Sequence, residues 1–361
     1  MTSLFESLNF IRGPAMGNRF MLAPLTNSQS FDDGRLSGVE KNWLTMRARG
    51  GFGLTMTCAA HVQAIGRGFP GQLGIFSDDH LPGLHGLAAE IRTAGSLGAV
   101  QLYHAGMRSP AELIGGSPVC PSVNEEFGAR ALGTEEVAAL IEDFVAAAER
   151  ADAAGFDGVE LHGAHGYLLC QFLSSEINRR DDEYGGSLEN RARPLLNIIA
   201  GIRARCRPDF QLGVRLSPER FGVALPEMRD LAGRLMGSGD IDYLDMSLWD
   251  VRKEPADEAF QGRSLMSYFT GQKRGDTRVG VAGKIYSAED ARYCLEEGAD
   301  FVLIGRGAIL HHDFPERVRA DDGFTMVSLP VSEAHLRAEG LGDAFITYMR
   351  GWPGFVSDCG G

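Results

Sequence analysis

Three side chains that can hold or hand over a proton stand close together in this chain: His162, His165 and Tyr167. They follow the apolar run from Gly158 to Leu161, across a turn of small residues, Gly163, Ala164 and Gly166. Imidazole N–H groups grip an oxygen, and a phenol can deliver a proton to whatever that oxygen activates. His104 adds a third imidazole, which leaves a metal site of three histidines open as a rival reading. Tyr167 taken alone is equally a packing aromatic.

Arg215 is the second group with chemistry in it. It lies between Val214 and Leu216, and a guanidinium buried there needs an acceptor or an anion. An ion pair with Glu160 or Asp245 would answer that need as well as a ligand would. The third group is a pair of glycine turns, Gly280 to Lys284 and Ile304 to Gly307. Glycine lets backbone N–H groups come close to a phosphate, and Arg306 adds a charge-assisted fork. Tight turns required only by the fold are the plainer reading of the same residues.

These groups act together only if the fold brings them to one place. Short apolar runs alternate with helical patterns along most of the chain. The runs are Arg19–Leu25, Phe52–Cys58, Ala99–Tyr103, Gly158–His162, Gln211–Ser217, Tyr243–Leu248, Arg278–Gly283 and Phe301–Gly305. Between them, Val137, Leu140, Ile141, Phe144, Val145 and Ala148 repeat at helical spacing, with Thr134 as the expected N-cap. The pattern predicts further helices, among them Ser264–Gln272 and Ala308–Val318. Eight strand–helix units in one rhythm predict an α/β fold of the closed (β/α)8, or TIM-barrel, type. An open doubly wound sheet would show a Gly-x-Gly-x-x-Gly turn after its first strand, and none is present. The division predicted is a barrel domain over 1–320 and a C-terminal arm over 321–361, packed on the barrel or on a neighbouring subunit. In a barrel the strand C-termini carry the site, and strand alternation points Gln101, His162 and Arg215 to one mouth.

Bulk properties remove some function classes. A net charge of -13 over 361 residues repels a phosphate backbone, so nucleic acid is excluded as a partner. No apolar stretch is long enough for a membrane span, and no signal peptide is visible. Cysteines at 58, 120, 170, 206, 294 and 359 have neither paired nor metal-type spacing, which points to reduced thiols in the cytoplasm.

The residues also resemble a known family. The segment His162 to Arg191 carries His165, Gly166, Tyr167, Asn178, Arg179, Arg180, Asp181, Asp182, Glu183, Tyr184, Gly185, Gly186, Ser187, Leu188, Glu189 and Asn190. It is similar to the signature of the old yellow enzymes, flavin-dependent ene-reductases on an eight-stranded α/β barrel. Pro24, Leu25 and Thr26 match in the first strand, and Gln101 with His104 and Gly106 in the third. Arg215 with Ser217, and Gly305 with Arg306, complete the match in family order. The resemblance implies non-covalent FMN, with NADPH or NADH as hydride donor. Pro24, Leu25, Thr26, Ala59, Gln101, His162 and Arg215 would surround the flavin, and Ser247, Gly283, Gly305 and Arg306 its phosphate. His162 and His165 would hold the oxygen of an electrophilic alkene, and Tyr167 would protonate it.

The tail Tyr348 to Trp352 is similar to that of a thermophilic-like subgroup, in which an arginine, here Arg350, reaches a neighbouring active site. A homodimer or higher homo-oligomer follows from that. Thr26 departs from the cysteine often found in that subgroup, and Ser28 from a frequent tyrosine. A metal-dependent barrel hydrolase and a flavin-binding redox sensor are the alternatives to an ene-reductase.

Overall fold

A computed structural model describes residues 3–357. Eight parallel strands close into one barrel. In chain order they are β1 (Phe20–Leu22), β2 (Leu54–His61), β3 (Leu97–Tyr103), β4 (Gly158–Gly163), β5 (Gln211–Leu216), β6 (Tyr243–Ser247), β7 (Arg278–Ala282) and β8 (Phe301–Ile304). Each pairs with its sequence neighbours, and β1 pairs with β8 to close the ring. Both faces of a barrel strand are covered, which is why these segments read as continuous apolar runs.

The interior fills by a division of large and small residues. A Cβ at Gly213 of β5 would lie 2.1 Å from the Tyr243 ring, so glycine there is what admits the tyrosine. Tyr243 and Phe301 meet edge to face at 5.7 Å, and Phe10 closes on both from below. Phe10 belongs to a hairpin-like turn, bridged between Leu8 and Met16, that seals the N-terminal end of the barrel. The alternating pattern gave no sign of this seal.

The outer helices follow the expected faces, with local differences at their ends. In the helix Thr134–Ala153 every residue of the predicted apolar stripe is buried, each worth about 1.5–3 kcal/mol for the larger side chains. Its N-cap is Gly133 and not Thr134: Glu136 accepts from Gly133 N at 2.8 Å, while the Thr134 hydroxyl donates to Asp182. The predicted helix Ala308–Val318 is two helices, Arg306–Leu310 and Phe314–Ala320, the second opening on Pro315 at its first turn. The segment Ser264–Gln272 contributes only Ser267–Thr270.

The last helices, Glu333–Ala338 and Asp343–Arg350, lie back on the barrel wall. Arg47, fully buried, ties them down: it donates to the backbone oxygens of Glu339 and Ala308 and stacks over Trp43 at 4.1 Å. Phe345 meets Trp43 edge-on at 5.5 Å. Cys58, Cys120, Cys170, Cys206 and Cys294 are free thiols, and Cys359 lies outside the described residues. Among the described residues no helix is long and apolar enough to cross a membrane.

Candidate active site

The register of the barrel decides which side chains meet. Gln101 of β3 stands opposite Glu160 of β4, His162 opposite Arg215 of β5, and Arg215 opposite Asp245 of β6. On β2 a bulge between Met56 and Ala59 shifts the pairing, and Ala59 comes level with Gln101. A cavity of about 480 Å³ opens above these strand ends. Pro24, Leu25, Thr26, Ala59, Gln101, His162, His165, Tyr167, Arg215, Ser247, Gly283, Gly305 and Arg306 all line it.

Arg215 answers both readings made of it. Its Nε lies 2.9 Å from Asp245 Oδ2, an ion pair by distance but without hydrogen-bond alignment. Nη2 reaches Ser247 Oγ only at 3.4 Å. A buried guanidinium so loosely partnered still has donors to offer a ligand. Behind it, Gln101 Nε2 donates to Glu160 Oε1 at 2.7 Å. Burial, with the Asp245 charge added, pushes the Glu160 carboxyl up to about 8. Burial also raises Asp245 to about 6, against the pull of Arg215. At neutral pH the interior therefore holds one ion pair and one protonated acid.

The two histidines differ from the expected arrangement. His162 Nδ1 accepts from Ala164 N at 3.3 Å, which leaves its Nε2–H facing His165 Nδ1 at 3.2 Å. His165 Nε2 in turn lies 2.7 Å from Ser247 Oγ. They form a relay through one another instead of two parallel donors, because His165 stands at φ 61° and its ring turns toward β6. Ser247 Oγ contacts His165 and Arg215, while Ser247 itself pairs with Ala282, next to Gly283 of the first glycine turn. Burial and the Arg215 charge hold His162 down to about 3, and the same two causes hold His165 well below its ordinary value. Both imidazoles are neutral donors at physiological pH, not acids.

Tyr167 stands over this relay. Its ring meets His162 at 5.1 Å and Tyr103 at 4.5 Å, both edge to face, and Arg108 lies 4.7 Å over it. His104 does not join the pair: its Nδ1 accepts from Gly106 N at 2.9 Å and the ring packs under Gly66, outside the cavity. Asn27 also turns away, donating to the buried Glu40 at 2.9 Å. Arg350 lies outside the cavity within its own chain, where its guanidinium bonds Glu333.

Several lining residues were not named from the sequence: Phe69, Arg108, Phe221, Trp249 and Tyr286. Position alone would have found Trp249, two residues beyond a strand end. Among the described residues, six other than glycine adopt positive φ, namely Ser28, His165, Arg220, Phe221, Trp249 and Lys284. All of them follow strand C-termini, where strained backbone tends to serve a site.

Residues 3–322 match the model of the NADH:flavin oxidoreductase / NADH oxidase family. The probable NADH-dependent flavin oxidoreductase YqiG of Bacillus subtilis is 36% identical over 327 residues, covering 88% of this chain and 87% of the relative. The NADH:acrylate oxidoreductase of Vibrio harveyi is 33% identical over 89% of this chain, which spans 34% of that longer protein. Among solved structures, an old yellow enzyme homologue from Zymomonas mobilis superposes with a TM-score of 0.81 at 28% identity, over 95% of this chain and 99% of the other.

Proposed function

Because the chain belongs to the NADH:flavin oxidoreductase / NADH oxidase family, of the old yellow enzyme type, we propose that it reduces activated C=C bonds of α,β-unsaturated carbonyl or nitro compounds. NADPH or NADH is the hydride donor, and FMN the cofactor. The observation that carries this reading is the convergence of a neutral histidine pair, a tyrosine and a loosely partnered buried arginine on one cavity.

The cavity fits FMN by two features of the chain itself. Arg215 keeps unspent donors beside Gln101, suited to the polar edge of a ring system. At the other end a Cβ on Gly305 would meet protein only at Leu25 Cδ2, 3.7 Å away, so packing does not demand glycine there. The open space there would admit a phosphate. Pro24, Leu25, Thr26, Ala59, Gln101 and Arg215 would hold the ring, with Gly283, Gly305 and Arg306 at the phosphate. Bound there, FMN would supply a two-electron hydride carrier between the nicotinamide and the alkene β-carbon.

The remaining work falls to the chain. An acceptor oxygen takes the Nε2–H of His162, displacing the contact to His165, whose own Nε2–H swings from Ser247 to share it. Two neutral N–H donors draw electron density from the double bond without transferring their protons. The Tyr167 hydroxyl gives its proton to the α-carbon, and the saturated product leaves by the same mouth. Thr26 and Tyr348 line the same cavity. We place the protein in the cytoplasm, as its scattered thiols suggest, and assign it a homo-oligomeric state in which Arg350 serves a neighbouring site.

An anaerobic spectrum tests the reading. Flavin bands should bleach with NADPH or NADH and recover on addition of 2-cyclohexenone. Bleaching without recovery would favour a redox sensor, and stoichiometric zinc without flavin a hydrolase.

A further inference from the structure

The charge of the cavity wall is opposite to that of the chain. The protein carries a net charge of -13, yet among the described residues no Asp or Glu lines the cavity, while Arg108, Arg215, Lys284 and Arg306 do. Three of these cations have an evident neighbour. Arg215 faces Asp245, Lys284 Nζ lies 2.9 Å from Asp250 Oδ2, and Arg306 stacks on Tyr286 at the glycine end.

Arg108 is different. Its Nη1 donates to the backbone oxygen of His165 at 2.7 Å, and its guanidinium lies over the Tyr167 ring. Among the described residues it pairs with no carboxylate. The loop that carries it is anchored from below, with Met107 N donating to the buried Gln171 Oε1 at 3.2 Å and Gly106 N to His104. One bond thus fixes the head group beside the proton donor and the oxygen-binding pair, while the Nε–Nη2 edge stays available. That edge is the planar fork that takes a carboxylate through two parallel bonds.

We propose that Arg108 makes this site selective for alkenes bearing a carboxylate on the far side of the double bond from the oxygen held by His162. The inference rests on the ene-reductase reading above. The carbonyl oxygen occupies the histidines, the double bond lies under Tyr167, and the carboxylate closes onto Arg108. The arginine aligns the substrate and takes no part in proton or hydride transfer.

The test uses the flavin-loaded enzyme and a matched pair of enones, trans-4-oxo-2-pentenoate and trans-3-penten-2-one. The quantity read is the ratio of kcat/KM for the acid to that for the neutral ketone, which cancels general damage to the site. Loss of one charge-assisted contact in Arg108→Gln should lower that ratio roughly 10- to 150-fold. Arg108→Lys, which keeps the charge and loses the fork, should fall between. In parallel, visible titration with 4-hydroxybenzoate should weaken more in Arg108→Gln than titration with 4-hydroxybenzaldehyde. An unchanged ratio overturns the proposal. So does a rise in the NADPH or NADH dissociation constant with the ratio intact, which would assign Arg108 to the dinucleotide phosphates. If neither enone reoxidises the wild-type enzyme, the ene-reductase reading fails, and the 4-hydroxybenzoate titration still decides whether Arg108 binds carboxylate.

Discussion

Replacing Glu160 by glutamine should stabilise the protein, by an amount that grows with pH. Glu160 is fully buried, accepts one hydrogen bond from Gln101, and has an Oε2 without a partner among the described residues. Its carboxyl is raised from 4.5 to about 8, so at pH 7 it is protonated in the folded state and ionised in the unfolded chain. The unfolded state then binds fewer protons, and stability falls as pH rises from about 4.5 to 8 before levelling off. Each pH unit in that window costs ~1.4 kcal/mol, so the penalty at pH 7 is on the order of 3 kcal/mol. Glutamine keeps the acceptor for Gln101 and never ionises. The measurement is urea unfolding of the flavin-free forms from pH 5 to 8. Glu160→Gln should exceed wild type by less than ~1 kcal/mol at pH 5 and by about 3 at pH 7. A difference that does not change with pH, or a less stable variant at pH 7, would refute the reasoning.

The other predictions concern the site directly. Tyr167→Phe should slow flavin reoxidation by an enone, by roughly 100-fold or more, while sparing reduction by NADPH; equal loss in both half-reactions in stopped flow would contradict its role. Arg215→Met removes the partner of the buried Asp245, at a cost of about 3–5 kcal/mol, and should lower the flavin-to-protein ratio after desalting. Full retention of flavin would remove Arg215 from the binding site. His162, held down to about 3, is neutral throughout pH 5–8, so the oxidative half-reaction should show no imidazole ionisation in that range. A step near pH 6.5 that vanishes in His162→Ala would show the imidazole to be charged.

The barrel was readable because eight buried strands leave eight apolar runs, and their C-terminal polar residues could be counted off by alternation. Gln101, His162 and Arg215 reach one cavity on that logic alone. The end of β2 was misplaced because a bulge breaks alternation without changing composition: Ala59, Ala60 and His61 belong to the strand. The histidine relay was also out of reach. It depends on a positive φ at His165, which no local pattern announces, and on Ser247 arriving from β6. Arg108 went unnoticed for a related reason, since loops carry no period from which a direction can be read. The seal at the barrel floor is set by long-range packing of Phe10, for which no local pattern exists.

The left-handed residues around the mouth have a consequence for engineering and for descent. Each costs about 1–2 kcal/mol relative to glycine, so Ser28, Arg220, Phe221, Trp249 and Lys284 mark places where heat resistance is available by substitution. Phe221, Trp249 and Lys284 are also places where the cavity wall would lose a side chain. A lineage selected for thermal endurance would be drawn toward glycine at these rim positions, and one selected for discrimination among acceptors would be held away from it. Variation at the rim, more than in the barrel, should therefore record which of those demands a given relative has met.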